Sequence, residues 1–186
     1  MIVYIKNMVS QRCIVSVKST LEKLDMPYEY VKLGEASILN EFPDKQMNAL
    51  KEGLSDSGFE ILNNKKSILS EKIKLVILEM IHNKDGLPEI NASHFIAGKL
   101  NYDYTYLANV FSEVNAMTIE RFIITHKIER VKELLQDDEL SIKEISYKMN
   151  YSSLAHLSAQ FKKITEMTPT IYKKQHTKAR NNLEDL

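Results

Sequence analysis

The chain of 186 residues carries 25 Lys and Arg against 25 Asp and Glu, so its net charge of zero indicates no class of partner, and a nucleic-acid binder of this composition must segregate its charge locally. The single cysteine excludes an intrachain disulfide and indicates a reducing compartment. No apolar run approaches the roughly 20 residues that span a bilayer and no signal-peptide pattern is present, so we expect a soluble cytoplasmic protein of one large or two small domains.

Residues 1–63 mix short strand signals with two amphipathic helix signals. IVYIK predicts a strand, and the apolar spacing of residues 10–24 predicts a helix. YEYVKL, a turn at Gly34 and ASIL predict two more strands. Asp44 is the expected N-cap of a second helix, and FEIL predicts the last strand. The order β-α-β-β-α-β predicts an α+β domain with the split βαβ of ferredoxin-like folds.

A connection follows at residues 64–87. The polar run NNKKS is interpreted as a connector, and residues 68–82 predict a strongly apolar helix. This helix is apolar on more than one side, which predicts that it packs against both halves of the chain and couples them. NKDGLPEIN predicts a loop, because Gly86 and Pro88 both interrupt helices.

Two segments of the second half share one pattern: a short amphipathic helix, Asn-Tyr, a second helix, and Met-Thr. Asn101 and Asn150 mark tight turns that favour left-handed backbone. The contacts that we expect to be buried match within one position: Tyr102, Leu107 and Phe111 against Tyr151, Leu157 and Phe161. This pattern predicts two helix-turn-helix modules. The helix between them, from Ile119 to Leu135, would span roughly 25 Å, which suits two recognition helices about one DNA turn apart.

The strongest signal is SIKEISYKMNYSSLAHLSAQFKKITEMTPTIYKKQ. Its Phe161-Lys162-Lys163 step, Thr168-Pro169 pair and Tyr172-Lys173-Lys174 run resemble the signature of the AraC/XylS family of bacterial transcription regulators. The resemblance covers about residues 88–175. The family usually has Gly in both turns and after both recognition helices, where this chain has Asn101, Asn150, Ala116 and Glu166.

The resemblance implies an all-α double helix-turn-helix domain at residues 88–180, with recognition helices at about 104–112 and 153–163 in successive major grooves of double-stranded DNA. The implied base-reading positions are Thr105, Tyr106, Ala108, Asn109, Leu154, Ala155, His156, Ser158 and Ala159. Small side chains dominate the second set, so readout there would rest on methyl contacts, a few polar groups and DNA shape. The expected phosphate contacts are Lys162, Lys163, Lys173, Lys174 and Lys178. Ser141 and Glu144 predict a capping box, whose free amides could bind phosphate.

The stretch MVSQRC lies where the first strand meets the first helix. Residues 1–63 resemble a heavy-metal-associated domain, in which M-x-C-x-x-C at this place binds Cu(I) through two thiolates. Here Ser10 stands in the position of the first Cys. We favour Ser10 as a helix N-cap and Cys13 as a half-buried, apolar-like residue, and we expect no cofactor. Binding of Cu(I) or another thiophilic metal, redox sensing, and a thiolate pair shared by two protomers stay open.

Together these signals predict a sequence-specific transcription regulator with double-stranded DNA as its partner and no membrane contact. The effector is unknown and a homodimer stays open. The N-terminal domain would be a degenerate metal sensor or a dimerisation module, and residues 181–186 a tail. No nucleophile–base pair, phosphate loop or paired-carboxylate motif indicates an enzyme. The alternative is a thiol- or metal-responsive, chaperone-like protein with a helical partner-binding half, against which Ser10 argues.

Overall fold

The structure, a computed structural model, describes residues 1–83, 87 and 91–175. These form two compact units, one of residues 1–76 and 96–116 and the other of residues 77–95 and those after 116. The loop residues Gly86 and Pro88, the predicted phosphate contact Lys178 and the predicted tail lie outside the described residues. No helix in the described part is long and apolar enough to cross a membrane.

The first unit contains a four-stranded antiparallel sheet with the strand order β2-β3-β1-β4. Its elements in chain order are β1 (Ile2–Lys6), α1 (Gln11–Lys23), β2 (Tyr28–Lys32), β3 (Glu35–Ile38), α2 (Asp44–Ser55) and β4 (Glu60–Leu62). In the central strand, Val3 pairs with Ala36 of β3 and Ile5 pairs with Ile61 of β4. Alternation along the strand puts Val3 and Ile5 on one face, where they join a buried core with residues of α1 and α2. The helical residues of that core are Val17, Leu21, Leu50 and Leu54.

Helix α3 (Lys65–Ile81) covers the other face of this sheet with its first part. The ammonium of Lys72 lies 4.9 Å from the centre of the Tyr4 ring, which alternation along β1 places opposite the core. Glu71, only 7% exposed, accepts a 3.0 Å hydrogen bond from the main-chain N–H of Asn7. The sheet is therefore the middle layer of the first unit, with α1 and α2 on one face and α3 on the other.

The same part of α3 also contacts α5 (Tyr104–Asn115). Asn115 donates a 2.6 Å hydrogen bond from Nδ2 to the hydroxyl of Ser70, a residue that is 1% exposed. The ammonium of Lys66 lies 2.7 Å from a carboxylate oxygen of Glu113. These contacts attach the C-terminal end of α5 to a helix that is itself packed on the sheet.

The second unit is helical. Its main elements are α6 (Ile119–Asp137), α7 (Ile142–Lys148) and α8 (Leu154–Thr165), while α4 (Ala92–Leu100) runs across the boundary between the units. Helices α6, α7 and α8 contact one another. The side chains that they bury completely include Ile128, Val131, Ile145, Leu157 and Phe161.

Two sequence-based boundaries are corrected by the structure. NNKKS is not a connector, because α3 begins within it: the side-chain oxygen of Asn64 accepts a 2.8 Å hydrogen bond from the main-chain N–H of Lys66. Asp44 is the first residue of α2 and not its N-cap, a position that Pro43 occupies. Both helices begin earlier than the apolar spacing predicts, α2 by one residue and α3 by three.

Candidate nucleic-acid interface

The first module consists of α4, a turn at Asn101 and α5. Asp103 caps α5, since its side chain accepts a 3.1 Å hydrogen bond from the main-chain N–H of Tyr106. Leu107, Val110 and Phe111 are buried. The predicted base-reading residues lie on the other side of the helix: Thr105, Tyr106 and Asn109 are exposed and Ala108 is half-buried. The structure therefore brings all four to one accessible face of α5.

The second module consists of α7, a turn at Asn150 and α8. Ser141 and Glu144 form the predicted capping box at the start of α7, and Ser153 caps α8. Leu157 and Phe161 are buried under α8. On its accessible face Leu154, Ala155, His156 and Ala159 are exposed and Ser158 is half-buried.

The four positions at which the resemblance in sequence predicts glycine all have left-handed backbone. The φ angles are 56° at Asn101, 53° at Ala116, 49° at Asn150 and 64° at Glu166. Ala116 and Glu166 end α5 and α8, and the N–H of each bonds to a carbonyl of the preceding turn. Asn tolerates this conformation, whereas Ala and Glu are strained by about 1–2 kcal/mol each. Both modules thus have left-handed backbone at these positions without glycine, the residue that favours it.

Tyr151 anchors the second module from inside. Its ring is 5% exposed and has the ammonium of Lys127 4.1 Å from its centre, and its hydroxyl donates a 2.7 Å hydrogen bond to the side-chain oxygen of Gln160. Burial lowers the pKa of Lys127 to about 8 and raises the pKa of Tyr151 to about 12, so at neutral pH the pair is a cation over a neutral ring. Lys127 was not identified from the sequence. Its signal is its position in the apolar stripe of α6, three residues after Ile124 and four before Val131.

His156 is exposed and held from two sides. Its Nδ1 lies 2.9 Å from the hydroxyl of Ser152, and its ring meets that of Tyr151 edge-on with 5.3 Å between the ring centres. These two contacts occupy one nitrogen and fix the plane of the imidazole. The remaining nitrogen, Nε2, is therefore the atom of His156 that can meet a base edge or a phosphate.

The predicted phosphate contacts differ in their surroundings. Lys162, Lys163 and Lys174 are exposed. The ammonium of Lys173 lies 2.6 Å from a carboxylate oxygen of Asp138 and donates a 3.2 Å hydrogen bond to the carbonyl of Leu140. Lys173 therefore ties its segment to the loop after α6, and a phosphate contact there has to compete with Asp138.

Tyr102 is not the buried contact that the repeat predicts. Its side chain is 50% exposed, whereas the equivalent Tyr151 of the second module is 5% exposed. The ring of Tyr102 stacks instead on Tyr106, with 5.7 Å between the centres and 29° between the planes. The two modules therefore share this tyrosine in sequence, but its side chain has different surroundings in each module.

Cys13 lies at the start of α1, half-buried and packed against the core of the sheet. Ser10 is at the N-cap position, but its side chain caps no amide and lies 3.4 Å from the Cys13 sulfur. Burial alone would raise the pKa of the Cys13 thiol, but hydrogen bonds from the Ser10 hydroxyl and from neighbouring main-chain groups hold it below its usual value. Within the described residues no group of three or more His, Cys, Asp and Glu side chains could hold a metal ion.

Comparison with known proteins shows what the second half of the chain is similar to. Residues 96–175 match the sequence model of a helix-turn-helix domain. The chain is 24% identical over 137 residues to an uncharacterized HTH-type transcriptional regulator, YtdP, of Bacillus subtilis, which covers 74% of the chain and 17% of YtdP. It is 31% identical over 80 residues to the Msm operon regulatory protein of Streptococcus mutans, which covers 43% of the chain and 29% of that protein. The chain thus spans less than a third of these curated relatives.

Two solved structures share the fold. One is a DNA-binding transcriptional dual regulator from Escherichia coli K-12, with a TM-score of 0.50 and 19% identity over 59% of this chain and 93% of that one. The other is the C-terminal domain of AraT, a response regulator from Geobacillus stearothermophilus, with a TM-score of 0.50 and 20% identity over 60% and 88% of the two chains. The second half of the chain therefore carries a helix-turn-helix domain, and the chain shares its fold with these two solved structures.

Proposed function

We propose that the chain is a sequence-specific DNA-binding transcription regulator and not an enzyme, in which α5 and α8 each enter a major groove. The observation that carries this proposal is the arrangement of both helices. Each buries a row of apolar side chains and turns the predicted base-reading residues to solvent at its N-terminal end, where recognition helices meet base edges. The matches to transcription regulators support it, and they do not favour the chaperone-like alternative.

Charge separates the roles of the two modules. Residues 142–175 contain six Lys against two Glu, a net charge of +4, whereas residues 92–115 contain one Lys against an Asp and a Glu, a net charge of −1. Phosphate contacts set the salt-dependent part of the affinity. The second module should therefore supply most of the affinity, while α5 contributes base contacts through Thr105, Ala108 and Asn109, of which Asn109 can bind adenine with two hydrogen bonds.

The role of the first 63 residues is a finer part of the proposal. The βαββαβ order and the strand order β2-β3-β1-β4 support a ferredoxin-like domain akin to heavy-metal-associated domains. Cys13 offers one soft ligand and Ser10 is a poor second one, so we propose a degenerate sensor or dimerisation module without a resident metal. A cytoplasmic location belongs to the same proposal.

A selection of bound sequences from a randomised duplex pool tests the function, with and without Cu(I) under reducing conditions. We expect one enriched site with two blocks, one for each recognition helix, and the same site and affinity when Cu(I) is present. A copper effect that Cys13→Ser abolishes would restore the metal-sensor interpretation. No enrichment, together with no binding to random duplex at low salt, would refute DNA binding.

A salt series on the enriched site tests the charge argument. Lys162→Gln and Lys163→Gln should each flatten the plot of log affinity against log salt by about one unit, because each removes one phosphate contact. Lys132→Gln is the matched control, since this lysine of α6 pairs with Glu129 outside the proposed interface. Unchanged slopes for the two α8 variants would remove these lysines from the interface.

A further inference from the structure

The exposed ring pair of Tyr102 and Tyr106 lies next to the base-reading residues of α5. Their side chains are 50% and 47% exposed, and the rings stack with 5.7 Å between their centres. Neither hydroxyl has a hydrogen-bond partner in the part of the chain that the structure describes. Tyr106 is the third residue of α5, whereas Tyr102 lies in the turn before the Asp103 cap.

Stacking restricts both rings before any partner arrives. A tyrosine carries a large apolar surface on few rotatable bonds, so holding it in one orientation lowers the entropy that binding has to remove. The hydroxyl of each ring remains a donor that water now satisfies. The pair is therefore a preformed surface with an apolar face and two polar tips.

The charge of the first module indicates what kind of contact this surface makes. With one Lys against two acidic residues, residues 92–115 cannot hold DNA mainly by charge. Duplex DNA also offers groups that suit a neutral aromatic side chain: the C5-methyl group of thymine in the major groove, and phosphate oxygens that accept from a tyrosine hydroxyl. The position of Tyr106, in the first turn of the recognition helix beside Thr105, suits the methyl group. The position of Tyr102, in the turn, suits the backbone.

We propose that Tyr102 and Tyr106 act as one specificity element, in which Tyr106 packs on the C5-methyl group of a thymine while Tyr102 stacks behind it and donates its hydroxyl to a phosphate. This inference rests on the proposed function. It assigns Tyr102 to the DNA interface and makes a thymine the base that the first turn of α5 selects.

Single-atom changes in the DNA test the contact directly. Each thymine of the block selected through α5 is replaced in turn by 2′-deoxyuridine, which removes the methyl group alone. At one position the wild-type protein should lose affinity about fourfold, the loss expected for one buried methyl group. Tyr106→Ala should bind both versions of the site equally, and Tyr106→Phe should keep the full methyl effect.

Two variants separate the roles of Tyr102. Tyr102→Phe keeps the stack and removes the hydroxyl, so affinity should fall about two- to tenfold for all sequences alike while the methyl effect stays. Tyr102→Ala also removes the stack and should weaken the methyl effect. Tyr147→Ala, which removes an exposed tyrosine of α7, is the matched control and should change neither. Circular dichroism and urea midpoints establish that each variant is folded.

The outcomes distinguish this inference from the function on which it rests. An enriched site without a methyl-sensitive thymine, or with equal sensitivity in wild type and Tyr106→Ala, overturns the inference and leaves DNA binding intact. Variants that bind DNA normally but fail in transcription with purified polymerase would assign the pair to a protein partner and also overturn it. If no sequence enriches, both proposals fall.

Discussion

Lys127 lies half-buried on α6 with its ammonium over the Tyr151 ring, and its replacement by Met tests what that burial does to stability. Burial lowers the pKa of Lys127 to about 8 from 10.5. Below pH 8 the lysine is protonated in both the folded and the unfolded state. Because its pKa is lower in the folded state, its charge then lowers the free energy of unfolding. This difference corresponds to about 3 kcal/mol. The Tyr151 ring offsets about 0.5–2 kcal/mol of it, because its face attracts the ammonium.

We therefore expect Lys127→Met to raise the free energy of unfolding by about 1–3 kcal/mol at pH 7. Between pH 8 and 10.5 the folded protein has lost a proton that the unfolded chain keeps, so the wild type should gain about 1.4 kcal/mol per pH unit on the variant. Urea unfolding across this range, followed by circular dichroism, measures both curves. Lys163→Met, at an exposed lysine of α8, is the control. Parallel curves, or a Lys127→Met protein less stable than wild type at pH 7, would refute the reasoning.

Four further substitutions test single features of the fold. Ser70→Ala leaves the side-chain amide of Asn115 without its acceptor on α3, so the free energy of unfolding should fall by about 1–3 kcal/mol in urea; no change would show that α5 is held by other contacts. Ser141→Ala should lower stability by about 1 kcal/mol in thermal unfolding, because α7 loses its cap. Gly34→Ala and Gly58→Ala should each lower stability by about 1–2 kcal/mol, since both positions have positive φ. Gly34→Ala should lower stability more than Gly58→Ala, because an added Cβ meets a neighbouring side chain at Gly34 but not at Gly58. Equal losses would contradict this.

The helix-turn-helix pair could be predicted because its determinants are local. The apolar spacing that buries Leu107 and Phe111 in one module recurs as Leu157 and Phe161 in the other, and all four are fully buried. The capping box at Ser141 also follows from residues three positions apart. Features that depend on neighbours in sequence were therefore accessible without a structure.

The exposure of Tyr102 could not be predicted, although that of Tyr151 was, because what covers each ring depends on residues distant in sequence. The same residue type follows the same turn in both modules. Tyr151 is buried beneath Lys127 of α6 and bonded to Gln160 of α8, whereas Tyr102 stacks on its own module. The repeat in the sequence therefore predicts the turn, but not which side chains cover the tyrosine that follows it.

The attachment of α5 to α3 changes where this protein can be divided. Lys66 and Ser70 bond to Glu113 and Asn115, residues more than 40 positions further along the chain. A gene fusion that joined a foreign sensor directly to the helix-turn-helix half would leave α5 without both partners. The smallest portion that can be transplanted together with α5 therefore begins before α3, and an exchange of N-terminal domains would have to keep α3 together with α5.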